Sequence, residues 1–187
     1  MGKAVSKSNK KSHKAASKQN VLLLGLSRSG KSTLVARLLS EKISEYNPTE
    51  GFNLVNYSRE DDTGSCLNLW DLGGSKLDRI GWQFFYPVTD GIMYIIDSED
   101  RYHLEENKRQ LNLILNNNIL QKVPLVIVAN KQDIEGAIDE TEIKSLLELN
   151  NASNMLCGIF GTSQSIESSI ASCLHTLVNE METKHIR

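Results

Sequence analysis

The sequence predicts an α/β fold: a six-stranded, mostly parallel sheet with one antiparallel edge strand and helices on both faces. Three observations lead there. The continuous apolar runs Val21–Leu24, Gly91–Ile96 and Leu125–Ala129 read as strands buried on both sides. Segments with apolar residues at helical spacing alternate with them, the pattern of a parallel sheet with crossover helices. Between the first and second runs lie two strand-like segments separated by turn residues, which supply the antiparallel edge.

Residues 1–19 are rich in Lys, Ser and Asn and nearly devoid of apolar side chains, so they are expected to form a disordered arm ahead of one folded domain spanning 20–187. The first strand, Val21–Leu24, leads into Gly25-Leu26-Ser27-Arg28-Ser29-Gly30-Lys31-Ser32, and Leu34, Val35, Leu38 and Leu39 then mark a helix. Glu41 to Glu50 is polar and contains Asn47-Pro48, a loop signal. Gly51–Tyr57 and Ser65–Trp70 form the expected hairpin, with Asp61-Asp62-Thr63-Gly64 as its turn. Asp71 to Ile80 is Gly-rich and leads into an aromatic helix, Trp82–Tyr86, which Pro87 should stop. After the strand Gly91–Ile96, Leu104, Leu111 and Leu115 mark a helix, and Pro124 precedes the strand Leu125–Ala129. A short helix over Glu140–Leu149, a last strand Met155–Phe160 and a closing helix carrying Ile166, Ile170, Leu174, Leu177, Val178 and Met181 complete the chain.

Gly25 to Ser32 is a full G-x-x-x-x-G-K-[ST] phosphate loop, preceded by a strand and followed by a helix, as its function requires. Gly25 and Gly30 allow the backbone to turn tightly and approach a ligand. The successive N–H groups of residues 25–33, from Gly25 through Leu26, Ser27, Arg28 and Ser29 to Thr33, form a nest for an anion at a helix N-terminus. Lys31 should lie along the β- and γ-phosphates, with the Ser32 hydroxyl on Mg²⁺. Asp71-Leu72-Gly73-Gly74 follows a strand, so Asp71 can hold Mg²⁺ through water and the Gly74 N–H can approach a γ-phosphate. In Asn130-Lys131-Gln132-Asp133 the Asp133 carboxylate can accept from the N1–H and exocyclic amine of guanine while Asn130 donates to the ring. The Lys131 stem can cover the base plane. Adenine lacks that donor pair and would leave the carboxylate unpaired. Gly161-Thr162, after the last strand, is placed to offer a backbone N–H to guanine O6.

Charge is unevenly distributed. The first 20 residues hold six lysines and no acid, while the rest holds 15 basic and 23 acidic residues. Met1-Gly2-Lys3-Ala4-Val5-Ser6 fits the pattern for N-myristoylation of Gly2. One acyl chain alone binds membranes weakly, and each lysine near an anionic leaflet adds about 1 kcal/mol. An anionic membrane surface is therefore the expected partner of the arm; serines among its lysines offer sites where phosphate would cancel the charge. No nucleic-acid partner is expected, and the protein is expected to be a monomer. No signal-peptide core or transmembrane run is visible, so the expected location is cytoplasmic, peripheral on a membrane. Cys66, Cys157 and Cys173 read as reduced core thiols.

Taken together, GLSRSGKST (25–33), PTEGFN (48–53), WDLGG (70–74), DSEDR (97–101) and NKQD (130–133) make the chain similar to an Arf-like small GTPase of the Ras superfamily, a P-loop NTPase of the small G-domain type. The resemblance implies that GTP, GDP and Mg²⁺ are the ligands and that Thr49 joins Ser32 on the metal in the GTP form. It implies two switch segments, about 41–51 and 71–85, read by effector proteins through Phe52, Trp70 and Phe85, and reset by an exchange factor and a GTPase-activating protein. Lys31, Thr49, Gly74 and the residue at position 75 are the catalytic positions. Three departures stand out. Ser75 occupies the place where the family usually has a water-orienting Gln, so hydrolysis should be slow or partner-dependent. Ser27-Arg28-Ser29 stands where relatives commonly carry Asp and small residues. The arm has only Ala4 and Val5 as early apolar residues, so membrane coupling is expected through acyl chain and charge instead of an amphipathic helix.

Two readings follow: a GTP-driven switch, or a hydrolysis-deficient scaffold of the same fold that stays GTP-bound. A small ATP-dependent kinase on the same loop would carry an arginine-bearing lid and lack the 130–133 motif.

Overall fold

The computed structural model describes residues 18–40, 49–58, 66–149, 155–163 and 167–185. The N-terminal arm, most of the first switch segment and the hairpin turn lie outside these. The strands are β1 Gln19–Leu24, β2 Phe52–Ser58, β3 Cys66–Leu72, β4 Gly91–Asp97, β5 Leu125–Asn130 and β6 Leu156–Gly161, in the spatial order β2-β3-β1-β4-β5-β6. All pairs are parallel except β2 with β3, so the antiparallel strand is at the edge, as expected.

Alternating side chains of each central strand feed two cores. Leu22, Leu24, Ile92, Tyr94, Ile96, Leu125 and Ile127 point to one face, where they meet α3 (Leu104–Leu115), α4 (Glu140–Leu146) and Trp82. Val21, Leu23, Met93, Ile95, Val126 and Val128 point to the other, against α1 (Lys31–Leu38) and α5 (Glu167–His185). The apolar runs are continuous in sequence because both faces are covered. A Cβ on Gly91 would lie 2.6 Å from Met181 Sδ, so α5 packs directly on the β4 backbone there.

The aromatic stretch departs from expectation. It is not one helix but a short α2, Asp78–Gly81, followed by 3₁₀ turns at Trp82–Phe84 and Tyr86–Val88. Pro87 lies inside the second turn, where the first turn of a helix makes no use of the N–H that proline lacks. β3 runs on through Asp71 to Leu72, and α4 ends at Leu146. Asp139 caps α4 by accepting from the Glu142 N–H at 2.7 Å. Cys173 is a core thiol, whereas Cys66 and Cys157 are only half-buried; none of the three forms a disulfide.

Leu177 is fully buried between α5 and the sheet. Leu177→Ala should cost about 3 kcal/mol of stability, measured as a lower denaturant midpoint at unchanged slope.

Candidate functional site

All the sequence motifs meet at the carboxyl ends of β1, β3, β4 and β5, where open α/β sheets place their ligands. The phosphate loop leaves β1 at Gly25, whose φ is 147° and whose Cβ, if present, would lie 2.2 Å from the Ile95 carbonyl oxygen. Gly30, at φ 95°, opens α1 with no side-chain cap and no acid in the first turn, so that helix end presents unused N–H groups. Arg28 also has positive φ, 67°, an uncommon conformation for a residue with a side chain, and it is exposed. Leu26, Ser29 and Thr33 are buried beneath the loop, and Ser27 is exposed.

Lys31 is only 6 % exposed. Its Nζ donates to the Gly25 and Leu26 carbonyls at 3.0 and 2.9 Å. Burial lowers its pKa to about 8, against the pull of Asp71. Beside it three oxygen-bearing side chains converge. Ser32 Oγ lies 2.6 Å from Asp71 Oδ2 and 2.9 Å from Thr49 Oγ1, which is itself 3.4 Å from Asp71 Oδ2. Asp71 is buried, which raises its pKa although the Ser32 hydroxyl opposes the shift, and its Oδ1 has no hydrogen-bond partner. A buried carboxylate with one oxygen lacking a donor and the other bonded by two hydroxyls fits a hard divalent cation such as Mg²⁺. Among the described residues no group of three His, Cys, Asp or Glu is placed to hold a metal, in keeping with a site of hydroxyls and one carboxylate.

The Gly74 segment lies across the loop. Its carbonyl accepts from the Ser27 N–H at 3.1 Å, and a Cβ on Gly74 would be 2.5 Å from Gly25 O. Trp82 Nε1 donates to Gly73 O at 2.9 Å, and Arg79 joins Gly74 O to Glu106 on α3. The Ser75 hydroxyl donates to Asp78 Oδ2 at 2.5 Å.

On the base side, Asn130 bridges neighbouring loops. Its Nδ2 donates to Ser29 O at 2.8 Å and its Oδ1 accepts from Thr162 Oγ1 at 3.0 Å, so one carboxamide ties three loops together. Lys131, at φ 69°, pairs through Nζ with Asp97 Oδ2 at 2.5 Å. Asp133 is exposed at the rim. The Gly161 N–H donates to Glu140 Oε1 at 2.8 Å and the Thr162 N–H to Ala129 O at 2.9 Å. Sequence reasoning assigned no role to Asp97 or Asp78. The S-x-x-D spacing at 75–78 was the one local signal available for the latter.

Phe52, Trp70 and Phe85 form a mutually packed triad with ring centroids 5.4 to 5.5 Å apart. Phe52 is half-exposed, while Trp70 and Phe85 lean on the core and Trp70 Nε1 donates to Asn20 Oδ1. Phe52 therefore gives the triad an accessible edge. A cavity of about 700 Å³ opens at the phosphate loop, lined by Leu26, Arg28, Ser75, Arg79, Asp97 and Lys131 among others.

The sequence profile of the ADP-ribosylation factor family (Arf) matches residues 5–181. The chain is 33 % identical over 172 residues, 92 % of each chain, to ADP-ribosylation factor-like protein 2 of Drosophila melanogaster. It is 40 % identical over 129 residues to ADP-ribosylation factor-like protein 3 of Chlamydomonas reinhardtii, covering 69 % of this chain and 71 % of that one. The Arl6 (BBS3) small GTPase of Trypanosoma brucei, solved with the nucleotide analogue GppNp, shares the fold at a TM-score of 0.79 and 22 % identity, over 89 % of this chain and 99 % of that one. With its phosphate loop, oxygen cluster and base-side motif brought to one sheet edge, the chain belongs to the ADP-ribosylation factor family of small GTPases.

Proposed function

We propose that the protein is a guanine-nucleotide switch of the Arf-like type, which cycles between GDP and GTP, recruits effectors at the cytosolic face of a membrane, and hydrolyses GTP slowly or only with a partner. The observation that carries this reading is the meeting of Ser32, Thr49 and Asp71 oxygens beside the buried Lys31. Ser32 and Thr49 are the protein ligands assigned to Mg²⁺, with Asp71 holding it through water, and the ion supplies charge neutralisation at the β- and γ-phosphates. Lys31 trades the Gly25 and Leu26 carbonyls for phosphate oxygens. The Gly74 peptide gives up its bond to Ser27 and presents its N–H to the γ-phosphate, and that exchange is the local event of switching. Asp133 reads the base and Asn130 fixes the loop that carries it. The reaction is phosphoryl transfer from GTP to water, driven by position and charge.

The aromatic triad and the exposed Leu77, Ile80 and Phe84 beside it support an effector surface across the switches. An exchange factor and an activating protein complete the cycle. Gly2, with the lysines that follow, is the proposed anchor. Among the described residues no helix is long and apolar enough to cross a membrane. A second reading, a scaffold that stays loaded with GTP, is favoured by one observation: the Ser75 hydroxyl is committed to Asp78, leaving no side-chain donor there to orient water.

The purified protein should retain GDP or GTP and prefer guanosine to adenosine nucleotides. Asp133→Ala should abolish that preference, and Lys31→Ala should weaken phosphate binding about 100-fold; unchanged nucleotide competition in both variants would sink the reading. In single-turnover assays wild type should release phosphate slowly and Ser75→Gln faster. Equal rates would mean that position 75 does not face the attacking water. Protein from a host that myristoylates should sediment with phosphatidylserine vesicles at low salt. Gly2→Ala should remain in the supernatant, and co-sedimentation of that variant would refute the acyl anchor.

A further inference from the structure

One carboxylate near the phosphate loop joins the two segments that flank it. Asp78 Oδ1 accepts from the Gly51 N–H at 3.1 Å. Its Oδ2 accepts from the Ser75 hydroxyl at 2.5 Å and from the Ser75 N–H at 3.3 Å, and the Asp78 N–H donates back to Ser75 Oγ at 3.1 Å. The reciprocal part has the pattern of a capping box in the turn that leads into α2. The bond to Gly51, two residues after Thr49, goes beyond what a cap needs. Room for it comes from Gly73, where a Cβ would lie 2.5 Å from Asp78 Cγ and 2.8 Å from Thr49 O. The Ser75 hydroxyl, followed by the Gly51 and Ser75 amides, holds the Asp78 carboxyl below the usual carboxylate range against a small burial penalty. A second link, Gly73 N–H to Gly51 O at 2.8 Å, runs beside it.

We propose that Asp78 is a positioning residue that fastens the Thr49 segment to the Gly74 segment, and that Ser75 serves as its hydrogen-bond partner and not as a group that handles water. The proposal rests on the guanine-nucleotide reading above. Thr49 contributes its hydroxyl to the oxygen cluster and Gly74 closes over the phosphate loop. A carboxylate bonded to both segments makes their placement one joint event. Ser75 has a single hydroxyl proton and gives it to Asp78, while its oxygen accepts from the Asp78 amide. The clasp acts where both segments engage a ligand, which is the triphosphate with its metal.

The full chain, loaded with fluorescent GTP analogue or fluorescent GDP in the presence of Mg²⁺, tests this. Asp78→Ala should release the triphosphate about tenfold faster and require more Mg²⁺ to retain it, with release of the diphosphate changed less than twofold. Ser75→Ala should give part of this effect, and the double variant no more than Asp78→Ala alone, because the two side chains act as one unit. Asp78→Asn preserves the shape and one acceptor and should fall between wild type and Asp78→Ala; it carries the test if the alanine variant does not fold. Unchanged triphosphate release, equal acceleration of both nucleotides, or additive effects of the two substitutions would overturn the proposal. Failure of wild type to hold any guanosine nucleotide would instead overturn the reading of the site.

Discussion

The buried carboxylate of Asp71 is the constraint around which the site is built. It stands one residue from the end of a strand in the sheet interior, where the backbone is fixed by pairing with Leu23 on one side and Asn53 on the other. A charge there is expensive unless donors and cations surround it. Ser32 comes from the helix after the phosphate loop, Thr49 from the segment before the edge strand, and Lys31 supplies the nearest cation. Three stretches distant in sequence are thus held to one point by the need to satisfy one side chain, and the same demand creates affinity for a divalent ion.

The glycines at the site follow from this crowding. Gly25 and Gly74 are not interchangeable with alanine because backbone from another segment already occupies the space a Cβ would take, Ile95 O in one case and Gly25 O in the other. Loop and switch are packed backbone to backbone, so contacts there are made and exchanged through peptide groups. Side chains are left to decide charge and partner. Arg79 illustrates the second role, since its guanidinium joins the Gly74 carbonyl to Glu106 and so connects the Gly74 segment with α3.

Much of the sheet was legible in the sequence because strands buried on both faces leave uninterrupted apolar runs, as in Leu125–Ala129. The phosphate loop was legible because its function dictates residue types at fixed spacing. Three things were not. The 3₁₀ turns at Trp82–Val88 are set by how those rings enter the core, and local propensity cannot distinguish them from a helix stopped by Pro87. The fate of the Gly161 and Thr162 amides depends on Glu140 and Ala129, partners that only the assembled sheet brings close. Asp78 carries no sequence signal for its longer bond, since nothing in the chain around it announces Gly51, 27 residues earlier.

The carboxamide of Asn130 has a broader consequence. It binds the carbonyl of Ser29 in the phosphate cradle and the hydroxyl of Thr162 beyond the last strand, and it stands where Gly30 leaves no room for a methyl group. The 130–133 loop and the phosphate loop are therefore one mechanical piece. In the proposed switch a guanine and its phosphates would be measured against a fixed ruler, and only the opposite wall, the one carrying Thr49 and Gly74, would be left to register how many phosphates the ligand brings.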